Sequence, residues 1–567
     1  MRPVRSARRA RHSPDRGARG PAERTHATDV PGAEASAVSD EGRRSIAWRS
    51  AFLLALLLAV SVRVRLLDIP LERDEGEYAY AGQLMLDGIP PYAEAYNMKL
   101  PGTYAAYALI EAVFGQTIAG IHLGLLVVNA ATSVLVFFLG RRLVGGDAAG
   151  CIAGSAYALS SLGPGVQGTS AHATHFVVLP ALGGLLLLLR ARGLRRTGPA
   201  LFAAVLFGLA FVMKQQGIFF PAFAALCAAA WAWRDRETRR TLKLGRLVAF
   251  GLGLAAPLAI TALLLWRAGV WRTCWFWCFR YAREYVTATS AAEGWANLRT
   301  QLPPVIGSAW PLWLLAGAGL LGLALGRPQV AGRALLLSFT AASALTVVPG
   351  LFFRAHYFVT LLPAVALLAA HGCTTVGRVA RHFGRGRFAT AAPAVAAVAA
   401  LAGMVVEQRA FLFVLDPVQA SKLLYDLEPF PEAVEIGRRL AARTAVSDRV
   451  AVLGAEPQIF FYSRRRSATG YIYVYAIWEQ QRFAERMAAE MIGEIEAARP
   501  RYVVVEFVPP RLREWAERFL ERSYELEGWV DFSRTRSEFH WDLAGRVPPA
   551  ASARGIKVWR RRAEASP

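Results

Sequence analysis

The fold is decided by the stretch Ile46–Tyr80, which reads IAWRSAFLLALLLAVSVRVRLLDIPLERDEGEYAY. Its first part, up to about Leu67, is a mainly apolar run of roughly 20 residues, enough for a helix to cross a bilayer. The chain then becomes acidic, with Asp74, Glu75 and Glu77 close together. Carboxylates at the mouth of a membrane span are costly unless they are solvated or used. The stretch therefore indicates a membrane protein that holds charged groups at the bilayer surface.

Apolar runs of similar length recur along the 567-residue chain, in which 54% of residues are hydrophobic and the mean hydropathy is +0.30. This composition excludes a soluble protein of three or four domains, which the length alone would suggest. We predict about eleven transmembrane helices, near 47–67, 117–140, 148–163, 174–190, 200–213, 217–233, 247–268, 305–325, 333–350, 356–373 and 388–411.

Basic residues between these runs predict the orientation of the chain. Lys and Arg concentrate on the cytoplasmic side of membrane proteins. If the N-terminus is cytoplasmic, the even-numbered connections are cytoplasmic as well, and these carry most of the basic residues. The pattern stays in phase to the last span, so the odd number of spans places the C-terminal region outside. The basic connections contain Arg141-Arg142, Arg190 to Arg196, Arg234 to Arg246, Arg327 and Arg378 to Arg387.

The formal net charge of +23 would suggest nucleic acid as a partner of a soluble protein. Here the charge lies between apolar runs, where it sets topology and contacts anionic headgroups, so we expect no nucleic-acid partner. Residues 1–45 are rich in Arg, Ala, Pro and Ser and predict a disordered basic cytoplasmic tail. Cys274 and Cys278 are too few ligands for a structural metal site.

Residues 412–567 have the size of one domain. Two buried strands are predicted at Arg449–Gly454 and Tyr502–Phe507, and Ile556–Trp559 is a candidate last strand. Amphipathic helices are predicted at Gln480–Ala498 and Arg511–Arg522. We therefore expect an extracytoplasmic α/β domain with a partly parallel sheet, following a transmembrane domain at 46–411.

The first outer loop, residues 68–116, carries the residues with chemical potential. The acidic residues Asp74 and Glu75 are followed by the blocks Gly88–Tyr92 (GIPPY) and Lys99–Pro101 (KLP). A carboxylate and an ammonium at opposite ends of one loop can face each other across a cleft. The alternative from the residues alone is a solvated loop whose acidic side chains merely face water.

These three blocks resemble the first periplasmic loop of the GT-C superfamily of membrane glycosyltransferases. The similarity is greatest to the family 39 and aminoarabinose-transferase-like group, in which DEGxYAY, GxxPY and KxP occur in this order. The resemblance implies a hexosyl- or pentosyltransferase that uses a polyprenyl-phosphate sugar as donor. It also implies that Asp74 is the catalytic base, that Lys99 contacts the donor phosphate, and that Glu75 orients the acceptor or helps to hold a divalent metal. Metal use varies across the superfamily, so no cofactor is assigned.

Further candidates lie outside these roles. Arg73 is expected to keep its neighbour Asp74 ionised, because an adjacent cation favours the charged form. We also name residues for binding the donor phosphate or lipid, namely Arg280, Arg283, Arg354, His356 and Tyr357. Others are candidates for binding the substrate, namely Arg73, Tyr78, Tyr92, His172 and Lys214.

The sequence thus predicts a multi-pass protein of the cytoplasmic membrane that transfers sugar at its outer face, in lipopolysaccharide or other glycan synthesis. The acceptor is left open as a lipid, a glycan or a protein. Two alternatives also remain, a lipid or glycan transporter and a non-catalytic protein of cell-envelope assembly. A transporter would want ionisable residues deep in several spans, whereas here they gather at the outer ends.

Overall fold

The computed structural model describes residues 31–567 except 192–193, 326–331, 385, 534–536, 542, 544–554 and 564–567. The chain forms two units, Met1–Ala47 and Trp48–Pro567. The predicted disordered tail lies outside the described residues as far as residue 30. From Pro31 onward the chain is helical, earlier than expected, because proline suits the first turn of a helix and the alanines that follow favour its interior.

Each of the eleven predicted apolar runs contains helix, although some of the helices begin or end inside the run. The helices up to residue 413 are α1 (Pro31–Arg65), α2 (Arg73–Leu86), α3 (Pro101–Phe114), α4 (Ile118–Gly140), α5 (Gly146–Ser160), α6 (Ala173–Arg190), α7 (Thr197–Met213), α8 (Phe219–Arg234), α9 (Arg240–Arg267), α10 (Trp271–Trp275), α11 (Ala282–Thr287), α12 (Ala291–Gly307), α13 (Trp310–Leu325), α14 (Arg333–Leu345), α15 (Leu362–Phe383), α16 (Arg387–Glu407) and α17 (Arg409–Phe413). Short 3-10 turns occupy Pro164–Val166, Gln215–Ile218 and Ala355–Thr360, and π-helical turns occupy Arg141–Gly145 and Phe276–Tyr281.

Fewer helices meet the length and hydropathy of a membrane crossing than the eleven predicted spans. Among the described residues, seven helical segments are long and apolar enough to span a membrane, or eight if α12 and α13 form one span bent by 101°. The segment Ile118–Ser160 is more than twice the length that one crossing needs. Within it Gly145 and Gly146 have positive φ angles of 118° and 76°, where the chain reverses. Tyr157 therefore lies back against Asn129, and α4 and α5 pack side by side. The count of eleven crossings stays a prediction.

Residues after 413 form a mixed sheet flanked by helices. The helices are α18 (Pro417–Tyr425), α19 (Phe430–Arg443), α20 (Gln458–Ser463), α21 (Tyr475–Trp478), α22 (Ala484–Ala498) and α23 (Pro510–Ser523). The strands are β1 (Arg449–Leu453), β2 (Arg466–Ser467), β3 (Tyr502–Val505), β4 (Tyr524–Asp531), β5 (Glu538–Trp541) and β6 (Gly555–Arg561). Their order is β2-β1-β3-β6-β4-β5; β1 is parallel to β2 and β3, and the remaining pairs are antiparallel. The predicted α/β fold with a partly parallel sheet is confirmed.

This C-terminal region packs closely on the acidic loop. A Cβ atom on Gly76 of α2 would lie 2.4 to 2.7 Å from backbone and side-chain atoms of Gln458, so α2 and α20 touch where only glycine fits. The backbone N–H of Ser467 donates to the Tyr80 hydroxyl at 2.8 Å, and the amide of Tyr96 donates to the Gly470 carbonyl at 2.6 Å. One hydrophobic core includes side chains from both parts. The proposed domain boundary at residue 412 thus marks the change from membrane helices to the α/β region, and both parts belong to the unit Trp48–Pro567.

Candidate active site

Helix α2 begins with a capping box. The Glu72 carboxylate accepts the backbone N–H of Glu75 at 2.9 Å, and the Glu75 carboxylate accepts the N–H of Glu72 at 3.1 Å. This reciprocal pair satisfies two of the N–H groups that a helix start leaves free. Asp74 lies in this first turn, where the helix dipole favours a negative charge. Local sequence therefore fixes where the Asp74 carboxylate emerges.

Asp74 is paired with Lys99, whose Nζ lies 3.0 Å from Asp74 Oδ2. The backbone carbonyl of Lys99 accepts a hydrogen bond from the Tyr92 hydroxyl at 2.7 Å and contacts the Cys278 thiol at 3.2 Å. The Lys99 ammonium also lies 5.7 Å from the centre of the Tyr78 ring. Tyr92 and Tyr78 are buried, so both support Lys99 from below. The structure thus brings together the Asp74 carboxylate and the Lys99 ammonium of the outer loop.

Further positive groups surround this pair. Burial raises the pKa of the Asp74 carboxyl, but the neighbouring cations, Lys99 first, outweigh it and hold the pKa well below its usual value. Burial also lowers the pKa of His172 to about 4, so this imidazole is neutral near pH 7. His172, Arg354 and Lys214 also lower the Asp74 pKa, each by less than Lys99. The Asp74 carboxylate therefore lies among three basic side chains.

Lys214 is the least expected of these basic groups. It follows α7 in extended backbone and is buried, with its Nζ 4.4 Å from the centre of the Tyr357 ring. Burial and the charge of Lys99 lower the Lys214 pKa to about 7. Within the part of the chain that the structure describes, no carboxylate lies at ion-pair distance from it. Lys214 is thus held in position to accept an anion.

The two histidines His172 and His356 stack with ring centres 4.0 Å apart. One nitrogen of each ring and an Asp74 oxygen all lie within 4.8 Å of one another, a spacing that a metal ion could use. The charges argue against that use, because Lys99 already pairs with the Asp74 carboxylate and two more basic groups lie nearby. These residues fit an anion better than a divalent cation.

Glu75 lies apart from this cleft. Its carboxylate is fully buried, accepts the N–H of Ala171 at 2.5 Å and lies 3.1 Å from His122 Nε2. Burial raises the Glu75 pKa, but His122 and the hydrogen bonds lower it by more. Its oxygens are therefore engaged in holding α2 on the membrane helices. The expectation that Glu75 meets the acceptor or a metal does not match this placement.

Glu77, which the sequence analysis left without a role, lies in the site instead. Its buried carboxylate accepts hydrogen bonds from Asn97 Nδ2 at 2.6 Å and from the Tyr104 hydroxyl. Burial raises its pKa to about 7, against the opposing charge of Lys99. Spacing offered one signal, since residues three or four apart share a helix face and Glu77 follows Asp74 by three.

Arg73 points away from Asp74, and the expectation that it keeps this neighbour ionised is wrong. Its guanidinium donates to the Ala455 carbonyl at 2.6 Å and pairs with Glu428 at 2.7 Å and Glu456 at 2.8 Å. Successive helix residues point about 100° apart, so Arg73 turns toward the C-terminal region while Lys99 takes its place beside Asp74.

The remaining candidates occupy the rim or lie elsewhere. Arg354 is exposed and donates to the Tyr285 hydroxyl at 3.1 Å. Arg280 and Arg283 are also exposed, and Arg280 lies 5.9 Å from the Phe483 ring centre. Among the described residues, Arg280 and Arg283 contact neither Asp74 nor Lys99, so these two lie apart from the central cluster. Arg354 is close enough for its charge to lower the Asp74 pKa.

An apolar groove of about 540 Å³ begins beside the KLP block. It runs between the loop that carries GIPPY and helix α9, and it is lined by side chains of both. Gly88 opens this loop with a φ angle of 80°, a backbone shape that favours glycine. A charged cleft and an apolar groove thus adjoin within one loop, which suits a ligand with a charged head and a long apolar chain.

This fold and this site define a class: a multi-pass membrane protein whose charged cleft is closed by a mixed α/β region. A family model described as dolichyl-phosphate-mannose-protein mannosyltransferase matches residues 99–266, less than half of the chain. No curated protein matches the sequence.

Solved structures extend the similarity over most of the chain. ArnT from Cupriavidus metallidurans, bound to undecaprenyl phosphate, matches with a TM-score of 0.56 and 16% identity, over 89% of this chain and 99% of that chain. The arabinofuranosyltransferase AftD from mycobacteria gives a TM-score of 0.48 and 14% identity, over 91% of this chain and 40% of that chain. The ArnT match shows that this chain shares the fold of that protein. Together with the family model over residues 99–266, it supports the predicted similarity to GT-C membrane glycosyltransferases.

Proposed function

We propose that the protein is a membrane glycosyltransferase that takes a sugar from a polyprenyl-phosphate carrier and passes it to an acceptor hydroxyl. The observation that carries this proposal is the Asp74 carboxylate, paired with Lys99 and set near the basic groups Lys214 and Arg354. Such a cluster suits a reaction that binds a phosphate and needs one base. The undecaprenyl phosphate bound to ArnT, which shares the fold, agrees with a carrier of this kind.

In this reaction the acceptor oxygen attacks the anomeric carbon of the donor sugar. Its proton passes to the Asp74 carboxylate as the new carbon–oxygen bond forms. The bond between the anomeric carbon and the phosphate oxygen breaks, and its electron pair leaves with polyprenyl phosphate. Basic groups beside that oxygen stabilise the developing charge, so the leaving group needs no proton.

The low pKa of Asp74 makes it a weak base while it is paired with Lys99. A bound donor phosphate would share Lys99 and offset the charge of Lys214 and Arg354. Since these cations are what hold the Asp74 pKa down, donor binding would raise it toward its usual range. The proposal thus includes an order, in which the donor binds first and makes the base competent.

The apolar groove beside the KLP block suits the isoprenoid chain of the carrier. Glu75, enclosed against His122, would act as a positioning residue that fixes the first turn of α2. A transporter remains the second candidate; in the described structure the ionisable groups of the cleft gather at helix ends, which favours transfer at the surface.

The test is transfer by purified variants in nanodiscs, with undecaprenyl-phosphate sugars as donors and an envelope lipid extract as the acceptor source. Asp74→Asn keeps the size of the side chain and removes the base, so turnover should fall by about 10²–10⁴. Glu75→Gln is the matched control on the same turn; it should lower thermal stability and spare more of the turnover. Near-normal turnover of the folded Asp74→Asn protein would contradict the proposal.

A further inference from the structure

The segment before Arg354 has an unusual backbone. Gly350, Leu351 and Phe353 have positive φ angles of 79°, 54° and 48°, a region that bulky residues rarely adopt. The Leu351 carbonyl accepts a hydrogen bond from Asn297 Nδ2 at 3.1 Å, which helps to hold the shape. Residues kept in such conformations cluster at binding sites, because the surrounding structure must offset their cost. The segment is therefore a candidate for function.

This backbone presents Phe352 and Arg354 to one aromatic surface. The rings of Phe352 and Tyr285 stack with centres 4.8 Å apart and planes 28° apart. The Arg354 guanidinium carbon lies 5.5 Å from the Phe352 centre. Tyr475, from the C-terminal region, completes the surface with its ring centre 6.5 Å from that of Tyr285. We call Tyr285, Phe352 and Tyr475 the aromatic shelf; all three are half-buried.

The shelf adjoins the charged cleft on two sides. On one side Arg354 bonds to the Tyr285 hydroxyl and contributes to the positive field around Asp74. On the other side the Tyr475 hydroxyl donates to Asn97 Oδ1 at 2.7 Å, two residues before Lys99. A glycosyl phosphate carries its sugar directly on the phosphate. A sugar whose phosphate lies among the basic groups must therefore lie within reach of the shelf.

We propose that the aromatic shelf binds the sugar ring of the donor, with the face of the ring stacked on Phe352 or Tyr475. Half-buried aromatic rings offer an apolar face to the C–H groups of a sugar and a polar edge to its hydroxyls. This inference rests on the proposed function and adds the subsite that recognises the sugar. An ordinary belt of interfacial aromatics would explain exposed rings, but it needs neither the strained backbone nor the link to Asn97.

The test compares carriers with and without sugar. Purified protein in nanodiscs is titrated with undecaprenyl phosphate, undecaprenyl-phosphate-mannose and undecaprenyl-phosphate-arabinose, and the dissociation constants are measured. The wild type should bind at least one glycosylated carrier more tightly than the bare one. Phe352→Ala should weaken that binding by roughly 3- to 10-fold, the contribution typical of an aromatic contact, and leave bare undecaprenyl phosphate within about 2-fold.

Two further variants serve as a substitute and as a control for Phe352→Ala. Phe352→Leu keeps the bulk and should lose the same preference if Phe352→Ala does not fold. Trp295→Ala removes an exposed aromatic of α12 outside the shelf and should change neither affinity. If the wild type binds all carriers equally, or Phe352→Ala weakens both kinds equally, the shelf does not bind the sugar, and the proposed function stands. If the wild type binds no carrier, both proposals fail.

Discussion

Replacing Lys99 by Met tests the charge arrangement of the cleft without any substrate. The change keeps the length of the side chain and removes the ammonium that lies 3.0 Å from Asp74. Lys99 and Asp74 are 18% and 15% exposed, so the pair is partly screened from water. At an effective dielectric constant near 20, two unit charges at this distance attract by about 5 kcal/mol.

The net loss should be smaller than this attraction. Lys214 and Arg354 remain near Asp74, and the lone carboxyl can take up a proton. We therefore expect Lys99→Met to destabilise the protein by about 2–4 kcal/mol near pH 7, below the full cost of a stranded buried charge. The folded-state pKa of Asp74 is lowered, so its stabilisation is present above the unfolded pKa and disappears as the pH falls through the folded pKa. Without Lys99 that loss should occur at a higher pH.

The assay is a double-mutant cycle of unfolding in detergent from about pH 2 to 9, which covers the range below the unfolded pKa of Asp74. It compares wild type, Lys99→Met, Asp74→Asn and the double variant. In the Asp74→Asn background, Lys99→Met should cost much less, because no carboxylate is left unpaired. Equal losses in the two backgrounds would refute the pairing, and so would an unchanged pH dependence in Lys99→Met.

Four further predictions follow from individual residues. Gly76→Ala should destabilise the folded protein by roughly 1–3 kcal/mol, because the new Cβ would meet Gln458. Gly251→Ala in α9, where a Cβ meets no atom within 4 Å, is the control. Equal melting temperatures of the two variants would count against the close contact at Gly76. Because the Glu77 pKa is raised to about 7, folding favours its protonated form, and the stability that depends on this proton is lost as the pH rises from about 4.5 to 7. Glu77→Gln should therefore make the melting temperature depend less on pH over this range. An unchanged dependence would show that Glu77 is not the titrating group. Binding of undecaprenyl-phosphate-mannose should weaken between pH 6 and 9 as Lys214, with a pKa of about 7, loses its proton. The Lys214→Met variant should bind this carrier weakly at both pH values. A wild-type affinity that does not change with pH would show that Lys214 does not bind the phosphate. A reporter active only outside the cytoplasm should work when fused after Pro567, and activity of a cytoplasmic reporter there would overturn the eleven-span topology.

The sequence predicted the helical membrane region and the acidic loop well because both depend on local signals. Apolar length marks spans, and the spacing from Asp74 to Lys99 stays within one loop. The sequence could not predict that Asp74 faces the cleft while Glu75 is buried against His122. Neighbouring helix residues point in different directions, and only the packing of α2 decides which of them faces the cleft. Arg73 was misjudged for the same reason.

Long-range partners were also beyond the sequence. Lys214 approaches Asp74 from the extended residue after α7, and Tyr475 comes from the C-terminal region. Neither spacing nor periodicity connects these two residues to the loop. Strand β4, which reads YELEGWVD, was missed because a β-bulge between Leu526 and Gly528 breaks the alternation of apolar and polar residues that marks a strand. Strand β6 was found, but its central place in the sheet was not.

The position of β6 has a consequence for how the protein is made. This last strand, Gly555–Arg561, lies between β3 and β4, with β3 pairing on one side and β4 on the other. During synthesis both neighbours emerge first and wait with unpaired edges, which invite wrong pairing. The sheet that packs against α2 is completed only after Gly555–Arg561 has been translated. Asp74, made hundreds of residues earlier, thus gains its final surroundings only after β6 has emerged, and a chain that stops before Gly555 leaves the helix that carries Asp74 without a finished support.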